Sequence, residues 1–167
     1  MRLHAIIMAL AAFALAATSP AGAETKQRGD PAIIAAATRY LDAYQALDLP
    51  QLESLYSESA AFDDPTSLHV RGIGGPFVWR GRAKILDGVR SWIAGGVTAL
   101  AYDIEDIYEA SGRVIFIGAI NSFAAAPDGM AQYRYRIVTI VTIENGLVTE
   151  HRDYTDYAGA TKIGATP

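Results

Sequence analysis

YRYRIVTIVTIENGLVTEHRDYTDY, residues 133–157, decides the fold. Asn145-Gly146 divides it into two β-rich arms, because both central positions of a type I′ hairpin turn need φ > 0. Val, Ile, Thr and Tyr fill the arms, and these side chains suit a pleated, half-buried surface. Along the second arm, alternation puts His151, Asp153 and Thr155 on one face and Glu150, Arg152 and Tyr154 on the other. An imidazole and a carboxylate on one face at the end of an apolar hairpin mark a candidate site.

Upstream of the hairpin the period is also strand-like. Runs over 97–109 and 114–123 are separated by Ser111-Gly112 and followed by a turn at Pro127-Asp128-Gly129. Before position 97 the period changes to helical. Asp30-Pro31 reads as N-cap and N1 of a helix reaching about Ala46, with Ile33, Ile34, Ala37, Leu41 and Tyr44 as its apolar stripe and Tyr40 beside it. Asp48 caps a second, short helix. Ala60–Asp64 is a short strand stopped by Pro65, Phe77–Arg80 is another, and a third helix spans about Arg82 to Ala94, closed by Gly95-Gly96. The glycine-rich segment 66–76 has no clear assignment. Helices first and a strand meander after them predict an α+β domain: N-terminal helices packed in a curved, mostly antiparallel sheet, a cone-shaped α+β barrel enclosing one cavity.

The chain opens with a short basic start, an apolar run over Ala5–Ala17 and Ala21-Gly22-Ala23, the pattern of a cleaved signal peptide over 1–23. The apolar run is 13 residues, shorter than the ~20 that span a bilayer. Removing 23 residues from 167 leaves 144, one domain with a sizeable core. Export to the periplasm or medium is expected. Residues 24–29 read as a linker, 30–157 as the domain and 158–167 as a flexible tail.

With 13 basic and 18 acidic residues after processing, the domain is acidic and carries no basic patch. That composition argues against nucleic acid and, after processing, against membrane as partners. Without cysteine there is neither disulfide nor thiol chemistry. His69 and His151 lack metal-ligand spacing, so no metal is expected. Gly72-Ile73-Gly74-Gly75 lacks the Lys-Ser/Thr of a phosphate loop, and no nucleophile elbow occurs.

RYLDAYQALDLPQLESLY (39–56), AFDDP (61–65), RGRAKI (80–85) and ENGLVTEHRDYTD (144–156) together resemble the nuclear-transport-factor-2-like superfamily. That group includes SnoaL-like polyketide cyclases, ketosteroid isomerases, scytalone dehydratases and limonene epoxide hydrolases. The resemblance spans about Pro31–Tyr157 and implies the cone fold, cofactor-free chemistry and homodimerisation. It is closest to the SnoaL-like and ketosteroid-isomerase-like branch. Ketosteroid isomerases keep an oxyanion-hole tyrosine where Tyr40 falls and a general base where Asp64 falls. Their second oxyanion donor falls at Thr139, a weaker donor than a protonated carboxyl. Of the epoxide hydrolases' three catalytic groups only the last is matched, by Asp153; the strand positions read Ala119 and Asn121, so epoxide opening is not expected.

Asp64, before a proline in an apolar cup, is the candidate base, raised by desolvation; its bland role is to cap the turn. His151 is the candidate proton shuttle, expected to contact Asp64 directly or through one water, or else a core or dimer-seam histidine. Asp153 would orient His151, or pair with Arg134 or Arg136. Tyr40, Tyr133 and Tyr135 could offer cavity hydroxyls or simply pack. Asn121 could hold a ligand oxygen or bond its neighbours. Trp79, Trp92 and His69 are wall or lid candidates, against packing roles. The expectation is a cofactor-independent isomerase, dehydratase, lyase or cyclase for a small hydrophobic, ring-bearing carbonyl or hydroxyl compound. A non-catalytic exported ligand-binding protein is the alternative. A pure dimerisation module would have its cavity filled by side chains.

Overall fold

The structure, a computed structural model, describes residues 25–69, 76–127 and 129–163. The expected signal peptide and most of the glycine-rich segment lie outside the described residues.

Local chemistry sets the helices. Asp30 accepts the N–H of Ala32 (2.8 Å) and Pro31 fills the first turn of α1 (Pro31–Gln45), which buries Ile34, Ala37, Tyr40, Leu41 and Tyr44. Asp48 caps α2 (Leu49–Leu55) through Gln51 N–H at 3.1 Å. α3 (Arg82–Ala94) ends at Gly95, with Gly96 at φ 98° turning the chain into the sheet.

The strands are β1 (Lys26–Arg28), β2 (Tyr56–Asp64), β3 (Phe77–Arg80), β4 (Val97–Ala110), β5 (Arg113–Ala126), β6 (Gly129–Glu144), β7 (Leu147–Thr155) and β8 (Thr161–Ile163). A 3-10 turn over Pro65–His69 follows β2. The sheet order is β1-β4-β5-β6-β7-β2-β3, with β8 also on β6. It is a large, curved, unclosed sheet: the end strands β1 and β3 do not meet. The long hairpins β4–β5–β6–β7 are antiparallel, whereas β1–β4 and β2–β7 are parallel. Asn145 and Gly146 take φ 52° and 78°, as the type I′ turn requires.

Two segments differ from expectation. The linker contains β1, whose residues pair with Asp106–Tyr108 of β4, and the tail contains β8, paired with Gln132–Arg134 of β6. Both strands are short and exposed, so alternation has no buried face to mark; the exposed backbone of a neighbouring strand recruits them.

The helices lay their apolar faces on one side of the sheet, where Tyr40, Tyr44, Leu52, Ile85 and Val89 meet Tyr56, Phe62, Val114, Phe116, Val141 and Val148. Each such side chain removed from water contributes about 1.5–3 kcal/mol. Gly88 of α3 lies so close to Trp79 that a Cβ there would come within 2.4 Å of the indole. That closeness presses Trp79 onto Phe62 and Trp92, at ring-centroid distances of 4.8 and 5.1 Å. Among the described residues no helix is long and apolar enough to cross a membrane.

Candidate active site

Between the helices and the sheet lies a cavity of about 210 Å³. One side is aromatic, from Tyr44 of α1, Trp92 of α3, Phe62 of β2 and Phe77 of β3. Leu100, Ile120, Tyr135 and Ile137 form the other side. Its polar groups are Asp64, Ser122, Asp153, Thr155 and Tyr157.

The parallel register of β2 and β7 assembles the acidic centre. Phe62 pairs with His151 and Asp63 with Arg152, so Asp64 falls in line with Asp153 on the cavity side. Both are buried, at 2 % and 4 % exposure. Asp64 uses its two oxygens differently. Oδ1 accepts the backbone N–H groups of Thr66 and Ser67, both at 3.0 Å, and the Thr66 hydroxyl at 2.5 Å, so it caps the 3-10 turn. Oδ2 accepts the Tyr157 hydroxyl at 2.6 Å. Burial raises the Asp64 pKa above the usual carboxylate range and the nearby Asp153 adds to the rise, against the donors Thr66 and Tyr157. The capping role and the cavity position therefore coexist in one side chain.

Behind Asp153 runs a buried chain of polar groups. Its Oδ1 accepts the Thr139 hydroxyl (2.5 Å), and Thr139 also meets the Tyr102 hydroxyl (3.2 Å). His151, fully buried, places Nε2 at 2.9 Å from Asp153 Oδ2, at an angle unsuited to a linear hydrogen bond. Its Nδ1 bonds the Tyr40 hydroxyl, which also bonds the Tyr56 hydroxyl. Every hydroxyl hydrogen in this chain finds an acceptor if Tyr56 donates to Tyr40 and Tyr40 to Nδ1, leaving the ring proton on Nε2 toward Asp153. Burial holds the phenols of Tyr40, Tyr56 and Tyr102 well above the ordinary tyrosine pKa, so all remain donors.

Asp64, Asp153, Tyr135 and Trp92 line the cavity. His151, Tyr40 and Thr139 are buried behind it, and no contact joins His151 to Asp64. The register explains the difference: position 151 is opposite 62, two residues short of Asp64. Tyr40 is accordingly not a cavity hydroxyl. Trp79 stacks behind Phe62 and does not line the cavity. Tyr133 stacks on Tyr135 at 6.5 Å, outside the lining.

Asn121 is on the opposite face of the sheet. Parity sends Ile120 and Ser122 of β5 inward, while the Asn121 amide donates to Asp103 (3.3 Å) and Ala101 O (3.4 Å) and accepts from Gln132 (3.1 Å). Arg134 and Arg136 share that face and pair with Asp103 and Glu105, not with Asp153. The side chain of His69 lies outside the described residues. Tyr157, Thr155 and Ser122 were not among the sequence candidates. The alternation that linked His151 and Asp153 extends to Thr155, but nothing in the pattern brings Tyr157 back toward Asp64.

The family profile of the SnoaL-like domain matches residues 37–151, well over half of the chain. No curated protein sequence matches it. Among solved structures, a protein assigned as a SnoaL-like polyketide cyclase from Shewanella putrefaciens CN-32 is 25% identical, with TM-score 0.67 over 77% of this chain and 82% of that one. A second such protein, from Shewanella denitrificans OS-217, is 20% identical with TM-score 0.66 over 77% and 93%. A protein of ketosteroid isomerase-like fold from Catenulispora acidiphila DSM 44928, in complex with trimethylamine, is 16% identical with TM-score 0.56 over 75% and 86%. The chain thus belongs to the SnoaL-like domain family and has the nuclear-transport-factor-2-like fold.

Proposed function

We propose that the protein is a cofactor-independent acid–base enzyme acting on a small hydrophobic, ring-bearing carbonyl or hydroxyl compound. The observation that carries this reading is Asp64 beside Asp153 in an otherwise apolar, aromatic cavity. Burial weakens Asp64 as an acid, and a carboxylate so raised is a stronger base than a solvated one. Asp64 takes a proton from the carbon next to a carbonyl, and the electron pair moves onto the carbonyl oxygen. Asp153, held by Thr139 and backed by His151, is placed to return or receive a second proton. His151 and Tyr40 act through Asp153 as positioning groups, since neither lines the cavity. Isomerisation, dehydration of a β-hydroxy carbonyl compound and aldol-type cyclisation share this first step, whereas retro-aldol cleavage would use the same base on the β-hydroxyl proton; the likeness to proteins assigned as polyketide cyclases supports cyclisation.

The test is α-proton exchange in D2O, followed by ¹H NMR on a panel of aryl-fused ketones such as 2-indanone. Wild type is expected to accelerate exchange, and Asp64→Asn to lower the rate by about 100-fold or more. No acceleration by wild type over buffer across the panel removes the enzyme reading.

A second reading, a non-catalytic exported binding protein, draws on the fact that both carboxylates already have partners within the fold. It expects ligands that raise the melting temperature of wild type and Asp64→Asn alike. Export with removal of residues 1–23, and homodimerisation, belong to both readings. N-terminal sequencing of the secreted product and light scattering of the purified protein test them.

A further inference from the structure

The SnoaL-like match ends at His151, but Asp153, Thr155 and Tyr157, all beyond it, line the cavity. After Thr155 the chain stays on the sheet. The Asp156 N–H donates to Arg136 O at 2.9 Å, and β8 then pairs antiparallel with Gln132–Arg134, further along the same edge of β6. Residues 156–163 thus form a strap fastened to β6 at both ends. The side chain it sends inward is Tyr157, whose ring meets Tyr135 edge-on at 5.5 Å.

The Tyr157 hydroxyl reaches the one oxygen of Asp64 that the turn does not occupy. Oδ1 serves Thr66 and Ser67, contacts that any turn-capping aspartate makes. Oδ2 is the oxygen left for chemistry, and Tyr157 is its hydrogen-bond partner among the described residues. A donor at this point fixes the carboxylate rotamer and stabilises its ionised form. Burial and the adjacent Asp64 push the Tyr157 phenol upward, so it stays protonated and remains a donor. Among the described residues, the other titratable groups around Asp64 are Asp153 on β7, Tyr44 on α1, Tyr102 on β4 and Tyr135 on β6, one carboxyl and three phenols.

We propose that Tyr157, delivered by this C-terminal strap, is the positioning residue of Asp64, aiming its Oδ2 and setting the pH at which it becomes a base. The inference rests on the acid–base reading of the cavity, but its first readout does not need turnover. In the full-length protein, Tyr157→Phe keeps the ring and removes the donor. Titration of the Asp64 carboxyl carbon by ¹³C NMR is expected to show its midpoint at higher pH than in wild type. The acidic limb of the 2-indanone exchange profile moves the same way, lowering the rate on that limb by up to about tenfold. A chain ending at Ala158, which leaves Tyr157 unfastened, is expected to reproduce both shifts in part. An Asp64 midpoint unmoved in Tyr157→Phe, with only the melting temperature lowered, makes Tyr157 a packing residue and overturns the proposal while the enzyme reading stands. Absence of exchange in wild type sinks the enzyme reading instead, and the Asp64 titration then decides by itself whether Tyr157 governs that carboxyl.

Discussion

Phenylalanine at both positions 40 and 56 is expected to leave the fold more stable than phenylalanine at position 40 alone. Tyr40 bonds both the Tyr56 hydroxyl and His151 Nδ1, all three residues being fully buried, and the assignment that satisfies every hydroxyl has Tyr56 donating to Tyr40 and Tyr40 to Nδ1. Tyr40→Phe removes the middle of the chain and strands two groups, the Tyr56 O–H and the Nδ1 lone pair. Each orphaned buried polar group costs about 1–3 kcal/mol, so this variant loses roughly 2–6 kcal/mol. Tyr56→Phe strands nothing that must donate and costs about 1 kcal/mol. The double variant leaves only Nδ1 unpartnered, for a cost of about 1–3 kcal/mol. The pairwise coupling is then about 2–4 kcal/mol in the direction of mutual rescue. Urea unfolding at neutral pH reads all four proteins, provided that the m-value is unchanged. Costs that add to within about 0.5 kcal/mol would refute the relay, and with it the account of how Asp153 is backed from inside the core.

Three further expectations concern Asp64, Gly88 and Asn121. Because burial raises the folded-state pKa of Asp64 above its unfolded value, the folded protein holds this proton more tightly. Wild type should therefore lose stability relative to Asp64→Asn as pH rises from the unfolded carboxylate value through the folded one; parallel melting-temperature curves across that range would refute it. Gly88→Ala gains about 1 kcal/mol of helix propensity, but its Cβ would come 2.4 Å from Trp79 Cζ2. Overpacking of about 1–3 kcal/mol should prevail, because Phe62 and Trp92 hold the indole in place; a melting temperature at or above wild type would contradict it. Asn121→Ala should leave exchange of 2-indanone unchanged, since the amide is on the face away from the cavity; a tenfold loss would place the chemistry on the wrong side of the sheet.

Much of the architecture was legible because its signals are local. Asp30-Pro31, Asp48, Gly95-Gly96 and Asn145-Gly146 each act through the backbone of their own few residues, and the structure uses all of them as caps or turns. The site was legible only in part. Alternation along β7 puts His151 and Asp153 on one face, and the structure joins them. The same rule could not say which face of β5 meets the helices, and that choice sends Asn121 outward and Ser122 inward.

By itself, the sequence determined the elements, their turns and the face shared by His151 and Asp153, because each follows from torsional preference and the two-residue period of a strand. Only the tertiary structure decided that Asp64 stands beside Asp153, that His151 backs the second carboxylate, and that Tyr157 returns to the first. The contacts made by Asp64 join residues about 90 apart in the chain, as in the bond from Tyr157 to Asp64 at a separation of 93. They depend on the parallel register of β2 against β7 and on a strap recruited by an open stretch of β6, and neither leaves a periodic trace in the residues it brings together.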